Sequence, residues 1–307
     1  MTDIRIKDYS PDMADEVLGV INDAFGTPRS SAWFRWKHVD GPWGPSRGAV
    51  ALDDQEIVGV RLLLPWRFRR GEDHILAYRA VEASTTPRAR GRGVFTLLNR
   101  HVMECLADEP EPTFIFSTPN SQSRDGYRKL GWTWLEPVEH AYRMAPKSLG
   151  RVDADWDADA LSSFGVEASI VHGHRLGTSW TPEAIRWRLD PRTGNDYRLC
   201  GLTDSEGAGG IAYRTDSHQR VRVLVVIAAW GPPTARRMAL AEARRREGPS
   251  LVLDVSQTEH RLGGRLALRR GASLLATWTP ESSIALRFGQ EDVANWRVSF
   301  ADLESVL

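Results

Sequence analysis

The segment 87–95 of this chain contains residues suited to binding a phosphate group. It reads Pro-Arg-Ala-Arg-Gly-Arg-Gly-Val-Phe and comes directly before a helical pattern of apolar residues. A glycine turn that opens a helix presents unpaired backbone N–H groups to one point, at the positive end of the helix dipole. Gly91 and Gly93 permit close backbone approach, and three arginines add positive charge. The segment therefore predicts a pyrophosphate site, although taken singly it is equally typical of a solvated turn.

A second group of residues at fixed spacings lies between 120 and 132. Its members are Asn120, Ser123, Tyr127, Lys129, Gly131 and Trp132. We interpret Tyr127 as a proton donor, because a phenol keeps its proton at neutral pH and can give it to a thiolate leaving group. The alternative is a tyrosine at the edge of the core, with its hydroxyl on a backbone carbonyl. Together the two segments predict a phosphate-binding turn beside a proton donor, which suits an acyl carrier that bears a pyrophosphate.

A carboxylate near the turn is the candidate base. Glu82 lies near the end of the strand that leads into the turn, where it could accept a proton from an amine through a water or hold the ammonium as an ion pair. It could equally pair with an arginine such as Arg79, or the amine could arrive neutral and need no strong base. Glu136 and His140, on the following strand, are reserve candidates.

Both segments resemble motifs of the GNAT family of N-acetyltransferases. Residues 87–95 are similar to its acyl-CoA-binding motif, P-x-x-R/Q-x-x-G-x-G/A, with Arg90 as the arginine and Gly93 as the first glycine. Phe95 stands where the family has Gly or Ala. In an overlapping register, Arg88, Gly91 and Gly93 take the motif's arginine and two small-residue positions. This register restores the small last residue but places the arginine directly after Pro87. Residues 120–132 are similar to the family's element N-x-x-A/S-x-x-x-Y-x-K/x-x-G-F/W.

The resemblance implies a cofactor, a reaction and a set of contacts. In the family, the strand before the turn and the next parallel strand splay apart, and the pantetheine arm of acetyl-CoA or another acyl-CoA enters between them. A primary amine then attacks the thioester directly, and the tyrosine, here Tyr127, protonates the thiolate. The implied cofactor-binding residues are Ala83, Ser84, Thr85, Arg88, Arg90, Gly91, Arg92, Gly93, Val94, Phe95, Asn120 and Ser123.

An aromatic cluster is the candidate wall of the acceptor pocket. Trp33, Phe34 and Trp36 lie in a segment expected to border the cleft, and Trp43 follows closely. Aromatic side chains commonly line small-molecule sites, but a buried core helix would explain the first three equally well. The expected acceptor is a small-molecule amine whose identity the sequence does not specify.

The order of predicted elements indicates an α/β fold (α+β, mixed sheet) in the first half. Apolar periodicity predicts a strand at 3–8, a helix from Ser10 to Gly26 and a short helix at 31–38. Further strand and helix patterns predict strands 48–53, 56–69 and 74–86, helix 93–107, strand 113–117, helix 121–130 and strand 132–144. A strand meander therefore precedes an α/β unit.

The second half repeats this layout. Ile185-Arg186-Trp187-Arg188 echoes Phe34-Arg35-Trp36-Lys37, whereas the turn reads Gly231-Pro232-Pro233, in which two prolines remove two backbone donors. The predicted elements are strands 197–203, 209–215 and 220–229, helix 233–247, strand 250–255, helix 259–270 and strand 273–279. We expect two tandem GNAT-like domains, a catalytic one at 1–148 and a degenerate one at 166–307, joined by a linker at 149–165. The second would shape the acceptor pocket or form a homodimer.

The bulk composition argues against several function classes. The 307 residues carry 40 basic and 40 acidic side chains, so no global charge favours nucleic acid or an anionic membrane as a partner. No apolar run is long enough to span a membrane and the amino terminus lacks an apolar signal core, so we expect a cytoplasmic protein. Cys105 and Cys200 lack metal-type spacing, and we expect neither a metal nor a disulfide.

Four other functions fit parts of the pattern. A tRNA-dependent aminoacyltransferase of the tandem-GNAT type should lack a good CoA turn, and a non-catalytic acyl-CoA-binding protein would not need Tyr127. An RNA-binding arginine-glycine patch would need stacked aromatics along a basic groove. A dinucleotide oxidoreductase would open with a βαβ unit, whereas this glycine turn follows a meander. The leading interpretation is an acyl-CoA-dependent N-acyltransferase.

Overall fold

The protein is built on two mixed β-sheets, each with strands from both halves of the chain. The computed structural model describes residues 4–26, 28–109, 111, 113–145, 174–204, 207–218, 221–255, 267–280, 284 and 287–303. The predicted linker at 149–165 and residues 259–266 of a predicted helix lie outside the described residues. The mixed α/β class predicted from the sequence is confirmed.

The helices and strands of the first half follow the predicted order. The helices are α1 (Ala14–Phe25), α2 (Ser31–His38), α3 (Val94–Ala107) and α4 (Arg124–Lys129). The strands are β1 (Ile4–Asp8), β2 (Arg47–Asp53), β3 (Glu56–Arg70), β4 (Asp73–Thr85), β5 (Thr113–Ser117), β6 (Thr133–Trp134) and β7 (Val138–Met144). Local sequence fixes the helix ends: α1 stops at Gly26, whose φ of +65° is left-handed, and the Ser30 side chain accepts a hydrogen bond from the Trp33 N–H at the start of α2.

The second half contributes further strands and three helices to the described structure. The strands are β8 (Leu176–Thr178), β9 (Arg198–Asp204), β10 (Gly207–His218), β11 (Val221–Trp230), β12 (Leu251–Val255), β13 (Ala267–Ser273), β14 (Ala276–Trp278) and β15 (Trp296–Arg297). The helices are α5 (Pro182–Arg188), α6 (Pro233–Glu247) and α7 (Phe300–Leu303). The predicted helix 259–270 is wrong at its end, because residues 267–270 belong to a strand that pairs with β7. Over the described ranges, no helix combines the length and the apolar character needed to cross a membrane.

The two sheets have related strand orders. The first runs β1-β2-β3-β4-β5-β14-β6, and the second runs β13-β7-β12-β11-β10-β9. Strands β1 to β4 form an antiparallel meander, after which β4 pairs in parallel with β5 from Leu76 to Arg79. In the second sheet β9 to β11 form a similar meander, and β11 pairs in parallel with β12. The strand β8 extends the first sheet beside β3, and β15 pairs with β8.

At one place the two halves of the chain exchange strands between the sheets. β7 lies between β12 and β13 in the second sheet, and β14 lies between β5 and β6 in the first. The sequence predicted single strands over 132–144 and 273–279, but each is interrupted, and its two parts join different sheets. At the crossing the N–H of Leu135 donates to the carbonyl of Leu275 at 3.0 Å, and both side chains are buried. Neither sheet is complete without the opposite half.

Two tryptophans join α2 to α5 through reciprocal hydrogen bonds. The Trp36 Nε1–H donates to the backbone carbonyl of Trp187 at 2.7 Å, and the Trp187 Nε1–H donates to the carbonyl of Trp36 at 2.8 Å. Their rings stack with centroids 5.3 Å apart, and both are buried. The repeated sequence around these two residues therefore marks a shared packing site.

Replacing either tryptophan with phenylalanine should destabilise the fold. Trp36→Phe and Trp187→Phe keep an aromatic ring but remove the indole hydrogen bond to a buried backbone carbonyl, which we expect to lower the free energy of unfolding by about 0.5 to 1.5 kcal/mol. Trp43 packs on Trp187 with centroids 6.4 Å apart, and its indole makes no hydrogen bond among the described residues, so Trp43→Phe is the matched control. Urea unfolding measures the differences. Equal losses in all three variants would mean that ring packing, and not the reciprocal bonds, joins the halves.

Candidate active site

The end of β4 is open on the side that faces β5. Parallel pairing with β5 stops at Arg79, whereas β4 continues to Thr85. The register of β4 against β3 shifts after Val81, and the bulge begins at Glu82, whose φ of +49° is strained for a residue other than glycine. Among the described strands, β4 therefore has no partner on this side beyond Arg79, which is where the sequence predicted a pantetheine arm. The predicted cofactor-binding residues along this edge are Ala83, Ser84 and Thr85.

The turn between β4 and α3 holds a group of free backbone donors. Gly91 and Gly93 have φ angles of +77° and +76°, which glycine adopts at little cost. Within the part of the chain that the structure describes, the N–H groups of Gly91, Gly93, Val94 and Phe95 donate no hydrogen bond to the protein. They lie at the positive end of the α3 dipole, so together they form a site suited to an anion.

The three arginines of the turn have partners within the protein. Arg88 forms an ion pair with Glu56, and Arg92 forms one with Asp53 at 2.5 Å. Arg90 donates to a backbone carbonyl of α1 at 3.3 Å. Because carboxylates offset two of the three positive charges, the backbone donors contribute more to anion binding than the sequence suggested.

Phe95, which departs from the family motif, is matched by a glycine on α4. Its ring packs against Gly126, where an added Cβ would overlap it. It also meets the Tyr127 ring edge-to-face, with centroids 5.5 Å apart, and Trp132 packs on Tyr127 at 4.4 Å. The Phe95 ring therefore lies against α4 and helps to fix the position of Tyr127.

Tyr127 is buried, and its hydroxyl contacts side chains instead of a backbone carbonyl. Arg61 Nη2 donates to Tyr127 Oη at 2.6 Å, and Ser117 Oγ, at the end of β5, lies 3.4 Å from the same oxygen. A guanidinium can only donate, so the hydroxyl proton of Tyr127 is directed to Ser117 or to a ligand. This geometry is compatible with the predicted proton donor.

Arg61 is a buried cation that the sequence analysis missed. It is 1% exposed, and its Nε has no hydrogen-bond partner. No carboxylate pairs with it among the described residues. A buried charge without a counter-ion is costly, so an anionic group nearby would stabilise this arrangement. The sequence does contain a clue, because Arg61 is the single charged residue in the apolar run Ile57–Trp66.

Glu82, the predicted base, forms a buried ion pair with Lys37 of α2. The two side chains are 8% and 2% exposed. Burial lowers the pKa of Lys37, while the Glu82 carboxylate acts in the opposite direction. The partner considered from the sequence, Arg79, instead donates to Thr118 and to the backbone carbonyl of Asp302. Lys37 thus holds Glu82 at the bulge, and the role of Glu82 as a base stays a prediction.

Asn120 and Ser123 organise the start of α4. The Asn120 side chain accepts hydrogen bonds from two backbone N–H groups of the following turn, at 3.1 and 3.0 Å, and from Ser123 Oγ at 3.1 Å. Such side-chain bonds to a turn replace the backbone partners that a helix start lacks. Their contact with the cofactor stays a prediction.

The remaining predicted residues lie in the core, at the surface or in the second sheet. The rings of Trp33, Phe34 and Trp36 are buried in the main hydrophobic core, so their place is explained by packing. Glu136 is exposed between β6 and β7. His140 lies on β7 in the second sheet, where burial lowers its pKa. None of these observations tests an acceptor pocket.

The two-sheet fold, the open strand edge and the turn of free amides define an α/β protein suited to holding an anionic carrier. The sequence model of the acetyltransferase (GNAT) domain matches residues 5–135. The match includes both motifs and supports the resemblance to the GNAT family that they indicated. A search of curated proteins found no match to the chain.

Several solved structures share the fold. The GCN5-related N-acetyltransferase from Anabaena variabilis is 12% identical, with a TM-score of 0.71 over 92% of this chain and 74% of that chain. A probable N-acyltransferase from Enterococcus faecalis is 14% identical, with a TM-score of 0.71 over 92% and 73%. Eis1 from Mycobacterium abscessus is 14% identical, with a TM-score of 0.65 over 94% and 76%. At these low sequence identities the similarity concerns the fold alone. The matches cover 92 to 94% of this chain and therefore include both sheets.

Removing the charge of Glu82 should destabilise the protein strongly. Glu82→Gln leaves Lys37 buried without a counter-ion, which we expect to lower the free energy of unfolding by about 3 to 5 kcal/mol. The double variant Lys37→Met/Glu82→Gln should recover most of that loss. Glu56→Gln, the same change in the exposed pair with Arg88, is the matched control and should have little effect. If urea unfolding found Glu82→Gln as stable as the wild type, the buried ion pair would not exist in solution.

Proposed function

We propose that the protein is an N-acyltransferase that moves an acetyl or other acyl group from acyl-CoA to the primary amine of a small-molecule acceptor. The observation that carries this proposal is the group of free N–H donors at the start of α3, which directly follows the open edge of β4. Pyrophosphate oxygens suit these donors, and the strand edge suits the amides of a pantetheine arm. An acyl-CoA bound there would supply the activated thioester.

The residues beside the open edge suit direct attack of an amine on a thioester. Attack forms a C–N bond and breaks the C–S bond, so the amine must lose a proton and the thiolate must gain one. Tyr127 would donate its hydroxyl proton to the sulfur. Arg61 would hold the phenol oxygen and stabilise the negative charge that develops beside it. Glu82, positioned by Lys37, is the candidate acceptor of the amine proton.

We further infer that the second half does not bind the same carrier. Its turn begins with Gly231 at a φ of +81°, but the next two residues, Pro232 and Pro233, have no backbone N–H to donate. The last residue of β11, Trp230, is buried against Gly210, where an added Cβ would overlap the ring. This half would instead shape the acceptor pocket or join two copies of the chain in a homodimer.

Calorimetric titration with acetyl-CoA tests the carrier site. We expect saturable binding by the wild type and binding weakened by at least about tenfold, or about 1.4 kcal/mol, in Gly93→Asp, which places a negative charge among the donors. Gly93→Asn is the matched control, because it imposes the same left-handed backbone without the charge. An added Cβ at Gly93 meets no atom within 4 Å, so both variants should fold.

Two results of this titration would contradict the proposal. Equal affinity in Gly93→Asp and Gly93→Asn would place the pyrophosphate elsewhere. No saturable binding of acetyl-CoA or free CoA by the wild type would reject acyl-CoA as the donor and favour the tRNA-dependent alternative. Binding without turnover on any amine would favour a non-catalytic acyl-CoA-binding protein.

Variants of Tyr127 and Arg61 test the proton donor. Tyr127→Phe should lower turnover by about 10²- to 10⁴-fold and leave the affinity for acetyl-CoA nearly unchanged, because the hydroxyl acts on the leaving group. Arg61→Gln should also lower turnover. The double variant should be little worse than Tyr127→Phe, because the two residues act as a unit. Thiol release measures the rates; full turnover in Tyr127→Phe would exclude its role, and additive losses would exclude the coupling.

A further inference from the structure

We propose that Asp8, His101 and Cys105 bind a zinc ion where the end of β1 meets α3. The site is separate from the carrier site, and it does not depend on the proposed acyl transfer. It rests on a convergence of three different ligand side chains and on a cavity beside them.

The three ligand atoms converge on a small volume. His101 and Cys105 lie one turn apart on α3, so they share a face of the helix. Asp8, the last residue of β1, approaches the same face. His101 Nε2 lies 2.7 Å from Asp8 Oδ1 and 3.7 Å from Cys105 Sγ, and all three ligand atoms lie within 4.8 Å of one another.

These separations are close to those in a tetrahedral zinc site. Zinc bonds of about 2.0 Å to nitrogen and oxygen and about 2.3 Å to sulfur place N and O roughly 3.3 Å apart and N and S roughly 3.5 Å apart. The nitrogen-to-sulfur distance of 3.7 Å agrees with this geometry. The nitrogen-to-oxygen pair must open by roughly 0.5 Å as the ion takes the place of the shared proton. The Asp8 side chain is 76% exposed, so it is free to make this adjustment.

The three ligand types, a carboxylate, an imidazole and a thiolate, favour zinc over magnesium and calcium. A thiolate and an imidazole are poor ligands for magnesium and calcium, which take oxygen, whereas zinc accepts sulfur, nitrogen and oxygen together. Three protein ligands leave a fourth position on zinc, and a cavity of about 360 Å³ lies beside them. A water or a small anionic ligand in this cavity could complete the coordination. Arg47 and Glu109 also line the cavity, and they form an ion pair with each other.

A zinc ion here would connect an edge strand of the first sheet to the helix that packs on it. Among the described strands, β1 pairs with β2 alone and therefore forms the edge of the sheet. Asp8 would fasten this edge strand to α3, whose opposite end carries the free N–H donors. The sequence predicted no metal because the cysteines lack metal-type spacing, whereas the fold brings Asp8 to His101 and Cys105 from 93 residues earlier in the chain.

Metal titration of tag-free protein tests the site. We expect one cobalt(II) ion per chain, with a thiolate-to-cobalt charge-transfer band that zinc abolishes by displacement. Cys105→Ser should lose the band, and Asp8→Asn and His101→Gln should weaken zinc binding by at least about tenfold. Cys200→Ala, which removes the other cysteine, is the matched control and should keep the band. Zinc should raise the Tm of the wild type and of Cys200→Ala but not that of Cys105→Ser.

Either of two outcomes would overturn the proposal. The wild type could show no saturable band with cobalt and no rise in Tm with zinc. Alternatively, the band could persist in Cys105→Ser, which would place the metal at another residue. Circular dichroism of each variant establishes that it is folded, and the exposed positions of Asp8 and Cys105 make loss of the fold unexpected. Binding of acetyl-CoA is measured separately, so a failure of one proposal leaves the other unaffected.

Discussion

The exchange of β7 and β14 is the constraint on which both sheets depend. β5 pairs with β4 on one edge and with β14 on the other, and Ser117, which lies beside the Tyr127 hydroxyl, is paired with Ala276 of the second half. The second half therefore completes the sheet that carries the open edge, although its own turn has lost two backbone donors to proline. Reciprocal bonds between Trp36 and Trp187 reinforce the same junction.

Buried cations around this junction are stabilised in different ways. Lys37 has a carboxylate partner in Glu82, whereas Arg79 and Arg188 donate to backbone carbonyls of residues 300–302 and so hold α7 against β4 and α5. Arg61 donates to a phenol oxygen and has no carboxylate partner within the described ranges. Since charge burial is costly without compensation, Arg61 is the cation most suited to an incoming anion.

The departures from the family motif are accommodated by local contacts. The large ring at Phe95 occupies space that Gly126 leaves free, and in doing so it packs on Tyr127. Carboxylates offset Arg88 and Arg92, which leaves the geometry of the turn, more than its net charge, as the basis for holding an anion. The motif predicts the turn and its glycines, but it does not predict the neighbouring residues that accommodate the departures, namely Gly126, Glu56 and Asp53.

The sequence by itself determined the order and type of most elements, the phosphate-type turn and the position of Tyr127, because periodicity, glycine conformation and helix capping are local properties. The lone cation in the apolar run of β3 was also visible there. Only the tertiary structure decided that two apparently continuous strands divide between sheets, that Glu82 pairs with Lys37, and that Asp8 meets His101 and Cys105. These outcomes depend on contacts between residues far apart in the chain, where burial and strand pairing select partners that no local pattern encodes.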